Sequence, residues 1–167
     1  MCIRDRLWGR VESTSAEREE QISQLRTQLT PSFLSEANLE QGQALFEKNC
    51  ASCHVMHGTG GRIGPDLTGS DRRNLNYLLE NIIAPSSVVA QTFQTSIILL
   101  EDGRLLTGVV TEQNDRTLKL QTKEELLTID RRTIEESKRT KLSLMPDGLL
   151  DPMTPEQKRD LFAFLMR

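Results

Sequence analysis

The chain has 167 residues, of which 37% are hydrophobic and only 4% aromatic, with a formal net charge of −3 and a pI near 5.5. That length holds one ordinary domain, or a small domain with an insertion and a tail, and the core must come chiefly from Leu, Ile and Val. There is no broad basic field to favour nucleic acid as a partner, and no run of eighteen apolar residues to span a membrane.

The opening Met1-Cys2-Ile3-Arg4-Asp5-Arg6 looks like translated sequencing-adapter read-through, so Cys2 and Trp8 carry little weight. The basic flank, apolar stretch and small-residue cleavage site of a secretory signal are missing, and the chain reads as the C-terminal part of a longer one. Ser13 to Ser15 offer helix caps, and Ile22, Leu25 and Leu29 then form a thin apolar stripe before Thr30-Pro31 stops the helix. This polar helix is expected to be a linker or the end of an upstream domain, set apart from the core. Asn38 with Gln41 forms a capping-box pattern that opens a helix carrying Leu39, Gly42, Leu45 and Phe46 into Cys50, with Gly42 leaving room for a crossing helix.

Leu75, Leu78, Leu79, Ile82 and Ile83 recur at helical spacing after Asp71, and Ala84-Pro85 ends the run. Strand-like segments follow at 92–100, 104–112, 116–122 and 126–129, with Asp102-Gly103 and Asn114-Asp115 as hairpin turns and a short helical turn expected near 133–137. The run Lys138-Arg139-Thr140-Lys141 reads as a solvated loop, with steering of an acidic partner as its functional alternative. A last helix is signalled by Thr154 as cap, Pro155 at the first helical position, Gln157 completing the box, then Leu161, Phe162, Phe164 and Leu165.

Cys50-Ala51-Ser52-Cys53-His54 matches C-x-x-C-H, the attachment pattern of c-type haem. Two thiols one helical turn apart can each form a thioether to a haem vinyl group, and the next residue presents its imidazole to the iron. Cys-x-x-Cys also serves thioredoxin-like pairs and zinc sites. A redox pair would open a helix after a strand, whereas this one closes a helix, and zinc would have only His54 and His57 nearby, in a cramped cluster. Gly58, Gly60 and Gly61, then Gly64-Pro65-Asp66-Leu67, form a loop able to lie close over a flat macrocycle. The Pro65 carbonyl is placed to accept the second ring N–H of a ligating histidine.

Four methionines besides the first are candidates for a sixth iron ligand. Met56 lies too close to His54 in sequence to reach the opposite face, Met166 sits in the last helical turn, and Met153 reads as a core residue. Met145, in Leu144-Met145-Pro146-Asp147-Gly148, lies in a loop that can deliver a thioether, and His/Met ligation suits electron transfer. Arg62, Arg72 and Arg73 could pair with haem propionates, with surface solvation as the simpler reading.

These motifs, together with Asp102-Gly103-Arg104 and Ser143-Leu144-Met145-Pro146, resemble the cytochrome c-like haem-binding domain of the Planctomycetes and Verrucomicrobia type over roughly residues 38–167. The resemblance implies one covalent haem c, with Cys50 and Cys53 as attachment points and His54 and Met145 as axial ligands; Gly64, Pro65 and Leu67 would line the site. It also implies a C-terminal position in a large exported chain, often behind a sugar-dehydrogenase-like part. The expected fold is a mainly α cytochrome c-like core with an inserted small antiparallel sheet or barrel, α+β in total. The expected layout is 1–36 as artefactual start and upstream helix or linker, 37–86 and 140–167 as the haem core, and 87–139 as the β insertion. The chain is expected to be an electron carrier outside the cytoplasm, not itself an enzyme. Its partner would be a redox protein or an upstream dehydrogenase domain. A haem sensor or enzyme with a displaceable sixth ligand is the alternative.

Overall fold

A computed structural model describes residues 16–167; the adapter-like start, Cys2, Trp8 and the caps expected at Ser13 to Ser15 lie outside them. Helix α1 (Ala16–Gln28) is polar on most of its surface, but Ile22 and Leu25 are buried, as is Leu29 just beyond it. They join one cluster with Leu45, Phe46, Leu78, Leu79, Leu150 and Phe162, and α1 packs on α4 (Leu75–Ile83). The expectation of a helix set apart from the core is therefore corrected. Three apolar side chains at helical spacing are enough to close one side of α4, and a solvated outer face is what remains.

Thr30-Pro31 ends α1 and also starts a new helix. Pro31 takes the first position of the short α2 (Pro31–Ser35), and the Thr30 hydroxyl accepts the Phe33 N–H at 3.2 Å. Pro85 does the same for α5 (Pro85–Val88) directly after α4. Proline's fixed φ suits a helix's first turn, where the missing N–H costs nothing. Helix α3 (Leu39–Asn49) is capped by the Asn38 side chain, which accepts the Gln41 N–H at 3.1 Å. Gln41 does not complete the box. Asp160 of the last helix, α6 (Pro155–Leu165), accepts the Asn38 N–H at 3.0 Å instead. Asp160 is 5% exposed and also pairs with Arg159 at 2.8 Å. The capping box at Thr154 and Gln157 of α6 is complete.

Helices α3 and α6 cross at Gly42. A Cβ there would collide with the Asp160 carbonyl oxygen and lie 2.8 Å from the Phe164 Cβ. The Phe46 and Phe164 rings pack beside this crossing, their centroids 5.8 Å apart. The second helix of the expected core, α4, begins at the Asn74 cap, whose side chain accepts the N–H groups of Asn76 and Tyr77.

Between α5 and α6 lies a five-stranded antiparallel sheet: β1 (Gln94–Leu100), β2 (Leu105–Gln113), β3 (Thr117–Gln121), β4 (Leu126–Asp130) and β5 (Ile134–Ser143). The order is β4-β3-β2-β1-β5, so four strands form a meander and the fifth returns to the far edge beside β1. Among the described residues β4 and β5 do not pair, and the sheet is open rather than a closed barrel. It has its own apolar cluster of Ile98, Leu100, Leu118, Leu120 and Ile129. With the helices on one core and the sheet on another, the fold is α+β.

The helical turn expected at 133–137 is corrected: a 3₁₀ turn occupies Arg131–Thr133, and the following residues are strand, with Ile134 opposite Leu100 and Glu136 opposite Leu99. Lys138 to Lys141 likewise lie in β5 and not in a loop. Local composition, rich in Glu, Lys and Arg, hides a strand whose formation depends on pairing with distant β1, and charges of this kind are what protect a sheet edge from further pairing.

The Gly42 crossing carries a stability prediction. Gly42→Val forces the α3–α6 interface apart and should lower the unfolding free energy by about 1–3 kcal/mol, the usual cost of overpacking. Gly69→Ala, where an added Cβ meets nothing within 4 Å, should leave it nearly unchanged. Urea unfolding of both variants checks this, and equal midpoints would refute the close approach.

Candidate functional site

Helix α3 delivers Cys50 as its C-cap, and the Cys50 carbonyl accepts two N–H groups, from Cys53 at 3.0 Å and from His54 at 2.9 Å. That tight turn gathers both sulfurs and the imidazole on a few residues of backbone. Cys50 and Cys53, both half-buried, are not joined to each other as a disulfide. Burial, and secondarily the nearby Cys53, push the Cys50 thiol up to about 11. A thioredoxin-like pair needs a thiolate at neutral pH, and the raised Cys50 thiol does not favour that reading. Among the described residues no three His, Cys, Asp or Glu side chains gather as a metal cluster, and His57 is exposed. The zinc reading gains no support from this arrangement.

The glycine-rich segment folds back onto the motif. His57 and Gly58 both have positive φ, 52° and 82°, in a tight turn closed by Met56 and Thr59, the pairing typical of a type I′ hairpin. The returning chain then bonds along the motif's backbone, Gly61 N–H to Ala51 O, Gly64 N–H to Cys53 O and Leu67 N–H to Val55 O, each at 2.8 Å. Contact is so close that a Cβ on Gly60 would strike the His54 carbonyl and one on Gly61 the Ser52 carbonyl. At Gly64 the obstacle is the imidazole itself, with Cε1 2.6 Å and Nδ1 2.8 Å from an added Cβ.

The His54 Nδ1 lies 2.9 Å from the Pro65 carbonyl oxygen, the contact expected from the sequence. As the donor, Nδ1 fixes the tautomer with the lone pair on Nε2, the form that ligates a metal. Leu67 is half-buried against the helical core, and the Thr68 hydroxyl and N–H hold the exposed Asp66 carboxyl below its usual range. Residues 64–67 thus form a braced shelf.

The four methionines occupy different settings. Met56 and Met153 are buried in the helical cluster, and Met166 packs against it. Met145 does not. It is half-buried in the bend after β5, with its N–H on the Ser143 hydroxyl at 3.1 Å, while the Ser143 N–H donates to Ser86 of α5 at 3.1 Å. The loop beyond it is tied to α1 by Arg18 to Asp147 at 2.6 Å and Gln21 to Asp151 at 3.2 Å. These ties join residues far apart in sequence, and no local pattern announced them. Arg72, considered for propionates or for solvent, instead donates to the Leu165 carbonyl at 3.0 Å and closes the C-terminal end of α6.

Two thiols and a tautomer-fixed imidazole on one turn, with a glycine backbone too close to admit side chains, fit a covalently attached haem. Cys50 and Cys53 are the sulfurs, and His54 the nitrogen donor, that could hold such a group. The family model described as Cytochrome c matches residues 39–95, from the start of α3 into β1. That stretch is supported as a c-type cytochrome haem domain, and the family implies covalently bound haem c. No curated protein matches the chain.

Gly64→Ala should displace the imidazole from its place over the loop. In protein matured with the haem-attachment machinery, we expect a several-fold lower yield of covalently pigmented chain, with Gly69→Ala at the parent level. Equal yields, measured by haem stain per unit protein, would show that the ring tolerates the added methyl.

Proposed function

We propose that the chain is a one-haem electron carrier with His54 and Met145 as axial ligands, working outside the cytoplasm, where covalent haem attachment takes place, and exchanging electrons with a redox protein or a dehydrogenase domain. The observation that carries the reading is the 2.9 Å contact of His54 Nδ1 with the Pro65 carbonyl inside a C-x-x-C-H turn. It leaves Nε2 as the coordinating nitrogen. When bound, the haem supplies a one-electron ferrous/ferric couple, and everything else is done by the polypeptide.

Cys50 and Cys53 would hold the macrocycle, His54 would fix its distance from α3, and the glycine loop would exclude water from the proximal side. Met145 is favoured as sixth ligand because it alone among the methionines at 56, 145, 153 and 166 is not taken up by the helical core. Its loop is anchored at Ser86 and Arg18, so a sulfur presented there would be held without a protein-wide rearrangement. With both axial positions closed, the iron would serve electron transfer rather than oxygen activation, and the chain is read as a carrier and not as an enzyme.

Spectra of exported, matured protein test this. Pigment should stay with the polypeptide on acid–acetone extraction, and the ferric protein should show the weak charge-transfer band of sulfur ligation. Met145→Ala should keep the haem, lose that band and bind carbon monoxide when reduced. A band that survives the substitution would place another residue on the iron.

A further inference from the structure

A cleft of about 340 Å³ separates the glycine loop from the sheet. Its walls come from three sources: Arg62 and Ile63 of the loop, Phe93 of the 3₁₀ turn before β1, and Ser96, Val109 and Arg139 of strands β1, β2 and β5. No Asp or Glu lines it. Ile63 immediately precedes Gly64, where an added Cβ would lie 2.6 Å from the His54 ring, so the loop wall of the cleft is continuous in sequence with the backbone that packs on that imidazole. Its chemistry is mixed: four apolar residues and five neutral polar ones, mostly Gln and Thr, line it together with two arginines from separate elements.

We infer that the inserted sheet forms a wall of the haem pocket, with Arg62 and Arg139 binding the haem's propionate carboxylates in this cleft; the inference rests on the haem reading above. The vinyl groups that join Cys50 and Cys53 and the propionates leave the macrocycle at different edges. The carboxylates therefore lie at another edge of the macrocycle from the thioethers, where residues outside Cys50–His54 can meet them. A haem edge is itself an apolar plane bearing two anions, which matches Ile63, Phe93 and Val109 beside two cations.

The arginines are suited to the task. Among the described residues neither donates a side-chain hydrogen bond nor forms an ion pair that would compete; Arg62 interacts electrostatically with Asp66, which is exposed and engaged by Thr68. Arg139 stands opposite Ser96 in the β1–β5 ladder, and Ser96 is buried, so the strand carrying Arg139 is fixed against the cleft. Guanidinium forks match carboxylates in geometry, and a cation near the haem stabilises the ferrous state over the ferric.

The test uses matured full-length chain whose haem survives acid–acetone extraction; if the pigment is shed, the haem reading and this inference both fail. Arg62→Gln and Arg139→Gln should each lower the midpoint potential and shift the propionate bending band in resonance Raman spectra. Arg139→Lys should recover part of the potential. Arg132→Gln removes the same charge from the exposed 3₁₀ turn before β5, outside the lining of the cleft, where Arg132 pairs with Asp130, and should do neither. With the haem attached, an Arg139→Gln variant indistinguishable from Arg132→Gln overturns the inference and leaves the haem reading standing. So does a change in potential with an unmoved propionate band, which would reveal only a distant charge.

Discussion

The close approach of the 60–64 backbone to the Cys50–His54 turn governs the rest of the site. A hydrogen bond from an imidazole to a carbonyl is worth only about 0.5–1.5 kcal/mol net, but it can form here only because no side chain stands between the two strands of backbone. Gly60, Gly61 and Gly64 are thus steric requirements, and the positive φ at His57 and Gly58 is what turns the chain back in time. Once the loop is seated, the ring orientation, the tautomer of His54 and the shelf at Leu67 follow from it.

A second close approach, at Gly42, plays the matching part in the scaffold. It lets α6 sit on α3 closely enough for Asp160 to cap the helix that ends in Cys50. The start of the motif helix and the last helix of the chain are thereby one unit. Helix α1 adds the remaining side of the core and holds the loop after Met145 through Arg18 and Gln21. An exposed ion pair of this kind contributes about 0–1 kcal/mol, so the apolar stripe of α1 supplies the adhesion and the polar ties set the register.

Much of this was legible in the residues. Capping residues, apolar spacing and the C-x-x-C-H motif act locally, and α3, α4, α6, four strands and the His54 to Pro65 contact could be read from them. What escaped depends on partners far away in sequence. β5 is a strand because β1 lies beside it, Asn38 is satisfied by Asp160 rather than Gln41, and Arg72 serves a carbonyl of the final helix. Pro31 and Pro85 misled in another way, since a residue that ends one helix is equally suited to begin the next.

The tether between α1 and the Met145 loop bears on how the module could be moved. The stretch that matches the cytochrome c family carries the sulfurs and the imidazole, yet Met145, the crossing helix and the tether all lie outside it. A graft of residues 39–95 onto another protein would transplant an attachment signal without the framework that seats the cofactor. Any transferable unit has to include α1 at one end and α6 at the other.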